Sequence, residues 1–524
     1  MVLLLTQCAA ADSSAEEPAA TIGTVVIERH NIFDLGNPEE NKSLFRLANR
    51  LHVLTRDRTI RTQLLFESGD VLSKNALEES ARLLRQNRYL HEATIRAAPA
   101  ANGVADVHVI TTDVWTLIPK LDFSRSGGEN EYAFGIKETN LLGTGMAIEL
   151  SRSSDVNRDS SLLKIVDRNL GGSRYVMDLG LSNNSDGHFR NLSLGKPFFA
   201  LDSRRARGVS FFDHDYIDTY YERGEEIADF RHKASHADVH IGWSRGLRDG
   251  WTTRFTTGFV YDKDEFLDAP DSDYPTLVIP DNRTLSYPFI GVEWLEDRFE
   301  QASNIDQIGR TEDRFLGRRL SLSLGAATEW LGSDRDALVF NARAQTGFGS
   351  SKRDSLILEG GLGSRIENGD AANLVVDFSA RFFRKQSEKR LGFLSLSGVY
   401  GHQLDAENRI VIGGDSGLRG YPLRYQSGDR RLLFTAEQRF FSEWYPFRLF
   451  HVGAAVFYDI GRAWGDSPVS SIENEWLQDV GFGLRLGHSR FGFGRVTHID
   501  IAFPLDGDDS IDDVQLVLST KQTF

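Results

Sequence analysis

From residue 121 onward, apolar and polar positions alternate with a period of two. Met146, Ile148 and Leu150 alternate with Ala147, Glu149 and Ser151, and Tyr175, Met177, Leu179 and Leu181 with Arg174, Asp178, Gly180 and Ser182. Leu320, Leu322, Leu324 and Ala326 oppose Arg319, Ser321, Ser323 and Gly325, and Leu374, Val376, Phe378 and Phe382 oppose Asp377, Ser379 and Arg381. A period of two predicts strands with one apolar face and one charged or small face. Many runs reach roughly nine to eleven residues, the length a tilted strand needs to cross a bilayer core of about 30 Å. The runs number about 16, an even count as bacterial barrels usually require. Long connections such as Gly465 to Gln478 and the Asp-rich Asp506 to Asp513 alternate with tight ones such as Arg490 to Gly494, as external loops alternate with periplasmic turns.

The first hundred residues follow another pattern. Thr24 to Ile27 is a β-branched run and predicts a short strand. Asn37, Pro38, Glu39 and Glu40 carry a helix-start signature, continued by Leu44, Phe45, Leu47, Ala48 and Leu51. A second helix is predicted from Ser73 to Asn87, with Leu77, Ala81, Leu84 and Tyr89 on one stripe. Thr94 to Ala97 and Val104 to Ile110 predict two strands joined through Asn102-Gly103, a hairpin turn signal. The expected organisation is a lead-in over 1–20, a small α+β domain over 21–120 and a barrel over 121–524.

Composition narrows the functions available. Lys and Arg total 60 against 75 Asp and Glu, a net charge of −15, which argues against a nucleic-acid partner. The single cysteine, Cys8, allows neither an internal disulfide nor a cysteine metal site. A mean hydropathy of −0.33 without any long apolar stretch excludes helical spans but not a membrane barrel, whose two faces average out. Met1 to Leu5 followed by Ala9, Ala10 and Ala11 reads as the tail of an export signal; Cys8 is then either removed with it or acylated. There is no Walker loop, nucleophile elbow or HExxH, so the expectation is no enzyme, no cofactor and no metal. Asp506 to Asp513 lacks the ligand spacing of a calcium loop.

Arg409 to Leu423, RIVIGGDSGLRGYPL, holds Gly413, Gly414, Gly417 and Gly420 and is expected to fold back on itself. Gly414-Asp415-Ser416-Gly417 resembles the surroundings of a trypsin-like nucleophile, but no triad accompanies it. Strand parity after this loop sets Leu432, Phe434, Ala436 and Phe440 toward lipid and Glu437 and Arg439 toward the lumen. On the following strand, parity leaves Asp459 inside.

Two segments then carry a resemblance. LLFESGDVLSKNALEESARLLRQNRYLHEATI with GVADVHVITTDVWTL resembles a POTRA domain, and Leu418-Arg419-Gly420-Tyr421 is similar to the Arg-Gly-aromatic motif of the BamA/TamA-type outer-membrane assembly superfamily. Phe457 to Gly465 and Asn140 to Gly145 also look like segments of that superfamily. The resemblance implies a mainly β protein: one POTRA domain in the periplasm before a transmembrane β-barrel of about 16 strands in the bacterial outer membrane. It implies a lumen loop, Gly413, Gly414, Leu418, Arg419, Gly420 and Tyr421, whose arginine pairs with Glu437 and Asp459 and which lies between the eleventh and twelfth strands. It implies a terminal sorting signal, Leu516, Leu518 and Phe524. Unfolded outer-membrane or secreted polypeptides, or lipids, would be received at the POTRA edge, with outer-membrane lipid and lipopolysaccharide around the barrel and a homodimer left open. The implied function is insertion or translocation of polypeptides; the alternatives are a passive pore and a membrane anchor for a separate enzyme.

Overall fold

The computed structural model describes residues 20–270, 272–469, 472–492, 496–508 and 511–521. The first part of the chain forms β1 (Thr21–His30), α1 (Ser43–Leu51), α2 (Asp57–Arg61), α3 (Lys74–Arg85), β2 (Leu90–Ala97) and β3 (Val104–Asp113). The sheet order is β1-β3-β2, with β1 parallel and β2 antiparallel to β3. Ile22, Val25, Ile60, Leu64, Leu84, Tyr89, Val107 and Val109 form its core. α3 starts at its expected signal: the Ser73 hydroxyl accepts from the Ala76 N–H at 3.4 Å. The Asn102-Gly103 turn is also present, with φ of 53° and 75°. The helix expected from Asn37 begins only at Ser43. Asn37 instead closes a turn, its side chain accepting from the Glu39 N–H at 3.1 Å, while the Glu40 carboxylate accepts from the Asp34 N–H at 2.9 Å. These side-chain bonds offer the backbone an alternative to helix.

The rest of the chain closes into one antiparallel barrel of 20 strands, where 16 were expected. Its wall begins with β4 (Leu117–Ser126), β5 (Glu129–Glu138), β6 (Met146–Ser154), β7 (Asp159–Asp167), β8 (Val176–Asn184) and β9 (Gly187–Lys196). It rises through β10 (Arg205–Glu222), β11 (Glu225–Arg248), β12 (Trp251–Leu267) and β13 (Arg283–Glu296). A small hairpin that is not part of the wall sheet, β14 (Phe299–Ala302) and β15 (Glu312–Phe315), precedes β16 (Arg318–Ala327), β17 (Ala337–Gly349), β18 (Asp354–Glu367), β19 (Asp370–Ser387) and β20 (Arg390–His402). A second one, β21 (Ile410–Ile412) and β22 (Gln426–Gly428), precedes β23 (Arg430–Phe441), β24 (Phe450–Trp464), β25 (Leu477–His488), β26 (Val496–Pro504) and β27 (Gln515–Lys521). The in-folding loop therefore follows the fifteenth wall strand, not the eleventh. Alternation undercounts because several strands carry it over only part of their length. In β10, RARGVSFFDHDYIDTYYE, the apolar-out pattern covers little beyond Val209 and Phe211.

The outward face exposes Phe134, Ile136, Leu150, Leu192, Phe211, Ile241, Ile290, Leu324, Phe378, Val456 and Phe482. Glu149, Arg439, Asp459, Asp479, Arg485 and Asp500 are buried on the inward face. Apolar outside and charged inside is the arrangement of a barrel solvated by lipid, the inverse of a water-soluble protein. Leu516 is exposed on the outward face and Leu518 follows it with the same parity; Phe524 lies outside the described residues, as do residues 1–19.

Neighbouring wall strands register over many residues, as in the 18 pairs joining β10 to β11. Among the described residues, β27 registers with β4 through the single pair Leu518–Arg125. The N-terminal domain packs against the turns at one mouth. Asn140 Nδ2 donates to Thr55 Oγ1 (2.8 Å), Arg56 to the Leu142 carbonyl (2.9 Å), Arg174 to Thr62 and Leu64 carbonyls (3.0 and 2.6 Å), and Arg490 to the Glu40 carboxylate (2.7 Å).

Candidate functional site

The loop between β20 and β23 turns inward because its backbone makes bonds of its own. Gly413 N–H donates to Ser416 Oγ (2.8 Å), Gly414 N–H to the Pro422 carbonyl (3.0 Å) and Leu418 N–H to the Gly413 carbonyl (3.1 Å). Gly417 sits at φ +119°, where a side chain would be strained. Leu418 and Tyr421 are fully buried with Ile412, Tyr425, Ala463 and Leu477, and the Tyr421 hydroxyl donates to the Gln478 carbonyl at 2.7 Å. This apolar foot sets the depth at which the next side chain acts.

Arg419 then meets the acids of the wall. Its Nε and Nη2 donate to the two oxygens of Asp459 at 2.7 and 3.0 Å, its Nη1 donates to Glu437 at 2.8 Å, and Asp500 lies 3.7 Å away. The guanidinium stacks 3.4 Å from the centre of the Phe457 ring. The Gly420 N–H donates to Asp479 at 3.1 Å. A planar fork with five donors suits this task, since it engages one carboxylate with two bonds and still reaches another. Arg419 is 6% exposed and Asp459 0%, so the pair is dry and depends on its geometry.

The structure thus brings together Arg419, Glu437 and Asp459, with Gly413, Gly414, Leu418, Gly420 and Tyr421 shaping the approach. Leu516 and Leu518 lie on the last strand, away from this cluster. Sequence reading did not single out Asp479, Arg485 and Asp500. Arg485 pairs with Asp500, which also faces Arg419. The parity that picked out Glu437 and Asp459, carried two strands further, marks all three, because they lie on the same inward face of the wall.

A second in-folded segment was missed entirely. Residues 297–317, between β13 and β16, enter the lumen from the mouth that holds the N-terminal domain. Ile305, Ile308 and Leu316 are buried against inward residues of the wall, Ile357, Phe383, Leu391, Phe441, Ala455 and Val496. The Glu312 carboxylate accepts the N–H groups of Ile305, Asp306 and Gln307 at 2.9, 2.9 and 3.2 Å, which fixes the turn. On the domain side, α3 holds the segment: Arg85 grips Asp313 with two bonds of 2.7 and 2.6 Å, and Arg82 stacks 3.6 Å from the Phe299 ring. Arg310 donates to the Leu90 carbonyl at 2.8 Å. On the lumen side, Arg439 donates to the Ile305 carbonyl at 2.9 Å and to Glu437 at 3.0 Å. Glu437 therefore receives Arg419 from the outer loop and Arg439 from the wall that holds the inner segment. Contacts run unbroken from α3 through residues 297–317 to the outer loop.

Close to the inner segment, His91 on β2 faces the cations Arg310 and Arg490 together with His451. Burial first, then these neighbours, pushes its imidazole down to about 3.

These features define a transmembrane β-barrel with an N-terminal α+β domain and a lumen occupied from both ends. Among solved structures the chain resembles CdiB from Escherichia coli, at 15% identity and a TM-score of 0.50, over 96% of this chain and 76% of that one. CdiB from Acinetobacter baumannii matches at 14% identity and TM-score 0.46, over 97% of this chain and 74% of that one. BamA from Haemophilus ducreyi lacking POTRA domains 1-3 matches at 14% and 0.41, over 96% of this chain and 85% of that one. No protein-family profile and no curated protein matches the chain. The likeness to the Escherichia coli structure shows the fold, and it is the outer-membrane barrel fold that the BamA/TamA-type resemblance implies.

Proposed function

We propose that the protein is a bacterial outer-membrane barrel that inserts or translocates polypeptides, with the N-terminal domain, residues 21–120, in the periplasm as the POTRA-type receiver of clients. The observation that carries this reading is the grip of Arg419 on Glu437 and Asp459 at the foot of an in-folded loop. It is the motif that joins the sequence resemblance to the fold, and a simple pore has no need of it. The β27–β4 seam supports the same reading. Among the described residues one registered pair joins the two strands, and a strand edge with few ladder partners is a template for an incoming strand. The occupied lumen counts against a passive pore. No covalent step is involved, and Leu516, Leu518 and Phe524 serve as the address for assembly in the membrane.

Depletion of the protein followed by comparison of outer-membrane proteomes tests the proposal. Loss of particular barrels or surface-exported proteins is the expected result. Unchanged protein composition together with a large steady conductance of the purified barrel would establish the pore instead.

A further inference from the structure

The wall of the barrel is uneven. β5 to β9 are 9 or 10 residues long, whereas β10, β11 and β12 run to 18, 24 and 17. On the outside of the low wall lies a groove of about 630 Å³, opening away from the lumen. Register places its outward residues in two rows. The lower row runs Leu150, Leu163, Leu181 and Arg190, each paired with the next. The upper row runs Phe134, Arg152, Ser161, Asn183 and His188 in the same way. Beneath both lies a third row, Ile148, Ile165, Leu179 and Leu192, wholly apolar.

The groove lining contains two arginines and a histidine and no carboxylate. Arg152 and Arg190 sit two and three residues from the strand ends at Ser154 and Gly187, at the rim opposite the N-terminal domain. The nearest acids border the groove, with Asp213 the register partner of Arg190 and Asp215 that of His188. Asp213 is 2.7 Å from His188 and accepts from Ser235, Asp215 pairs with Arg231, and Asp159 is 3.6 Å from Arg152. Two exposed guanidiniums directly above rows of leucine and isoleucine make an amphipathic surface whose charged edge lies at headgroup level. An arginine fork fits a phosphate with two parallel bonds, and methylene chains below gain from the apolar rows.

We infer that this groove binds a phosphorylated, multiply acylated lipid of the outer leaflet, with phosphate on Arg152 and Arg190 and acyl chains along the Leu150, Leu163 and Leu181 row. The inference rests on the membrane placement proposed above but not on any client. The groove begins on β5, the neighbour of β4, so a bound lipid lies beside the β27–β4 seam.

The test uses the delipidated full-length protein in a zwitterionic detergent. Native mass spectrometry counts retained hexa-acylated lipid A carrying two phosphates against the same lipid stripped of them. Wild type is expected to retain the diphosphoryl lipid about tenfold better. Arg152→Gln with Arg190→Gln removes that preference, while Arg353→Gln, in the exposed turn between β17 and β18, keeps it. Equal retention of the two lipids by wild type overturns the inference without reliance on any variant, as does a double variant that still shows the preference. Either failure leaves the client-assembly reading to its own proteome test.

Discussion

Two segments enter this barrel and are held in opposite ways. The outer loop is pinned by one buried cation among carboxylates on β23, β24 and β26, with glycines that let its backbone lie close to the wall. The inner segment, 297–317, is held by three apolar anchors and by two buried arginines of α3, Arg82 and Arg85. A charge-pinned loop has one sharply defined seat, because removing the cation leaves buried acids without compensation. An apolar anchor shared over several contacts loosens by degrees. The outer loop behaves as a fixed brace, and the inner segment as a part that can be displaced.

The contrast breaks most visibly at Arg419. Arg419→Ala is expected to destabilise the barrel by about 3 to 5 kcal/mol, read as lost heat resistance on detergent gels. Glu437→Gln and Asp459→Asn should give related, strongly non-additive losses in double-mutant cycles, and additive losses would dissolve the network. Leu316→Ala in the inner segment should cost about 2 to 4 kcal/mol by opening a cavity. It should also raise ion leak through planar bilayers, a result that an unchanged conductance would contradict.

Arg85→Ala strips two bonds from Asp313 and should weaken the hold of α3 by about 1 to 3 kcal/mol. Faster hydrogen exchange over residues 297–317, with the outer loop unaffected, is the checking measurement. pH probes the same joint. His91 titrates near 3 in the folded protein but near 6.5 when free, so the released form takes up a proton first as pH falls. Docking is therefore full above pH 6.5 and weakens below it, by at most about 1.4 kcal/mol per pH unit. His91→Gln should flatten that dependence in proteolysis of the N-terminal domain. The smallest effect belongs to Ser73→Ala, which removes a long capping bond and should lower α3 stability by about 0.5 kcal/mol without touching the outer loop.

The same contrast explains what the sequence revealed. Glu437 and Asp459 were legible because a strand has only two faces and their neighbours Phe434, Ala436, Val456 and Tyr458 declare the lipid side. Arg419 was legible because its glycines and neighbours form a compact motif. The inner segment, DRFEQASNIDQIGRTEDRFLG, gives no period: Ile305, Ile308 and Leu316 are scattered among polar residues, and their partners lie on β18, β19, β20, β23, β24 and β26. Only tertiary structure turns them into a core. The strand count failed for a related reason, since strands such as β10 are polar at positions outside the lipid belt. Ser73 announced α3, whereas Asn37, with the same chemistry, closed a turn, because capping residues favour turns and helix starts alike.

Gly127 and Gly414 meet where the outer loop touches the first turn of the wall. A Cβ on Gly414 would lie 2.8 Å from the Gly127 nitrogen, and one on Gly127 would lie 2.2 Å from that of Leu423. This gives closure a place in time. The turn is made early in the chain, the loop about 290 residues later, and the strand that completes the wall later still. Contacts so distant in sequence form last and slowly. A barrel whose first hairpin has drifted from its position cannot seat the loop, so the seating of Arg419 reports that the beginning and the end of the wall have found one another.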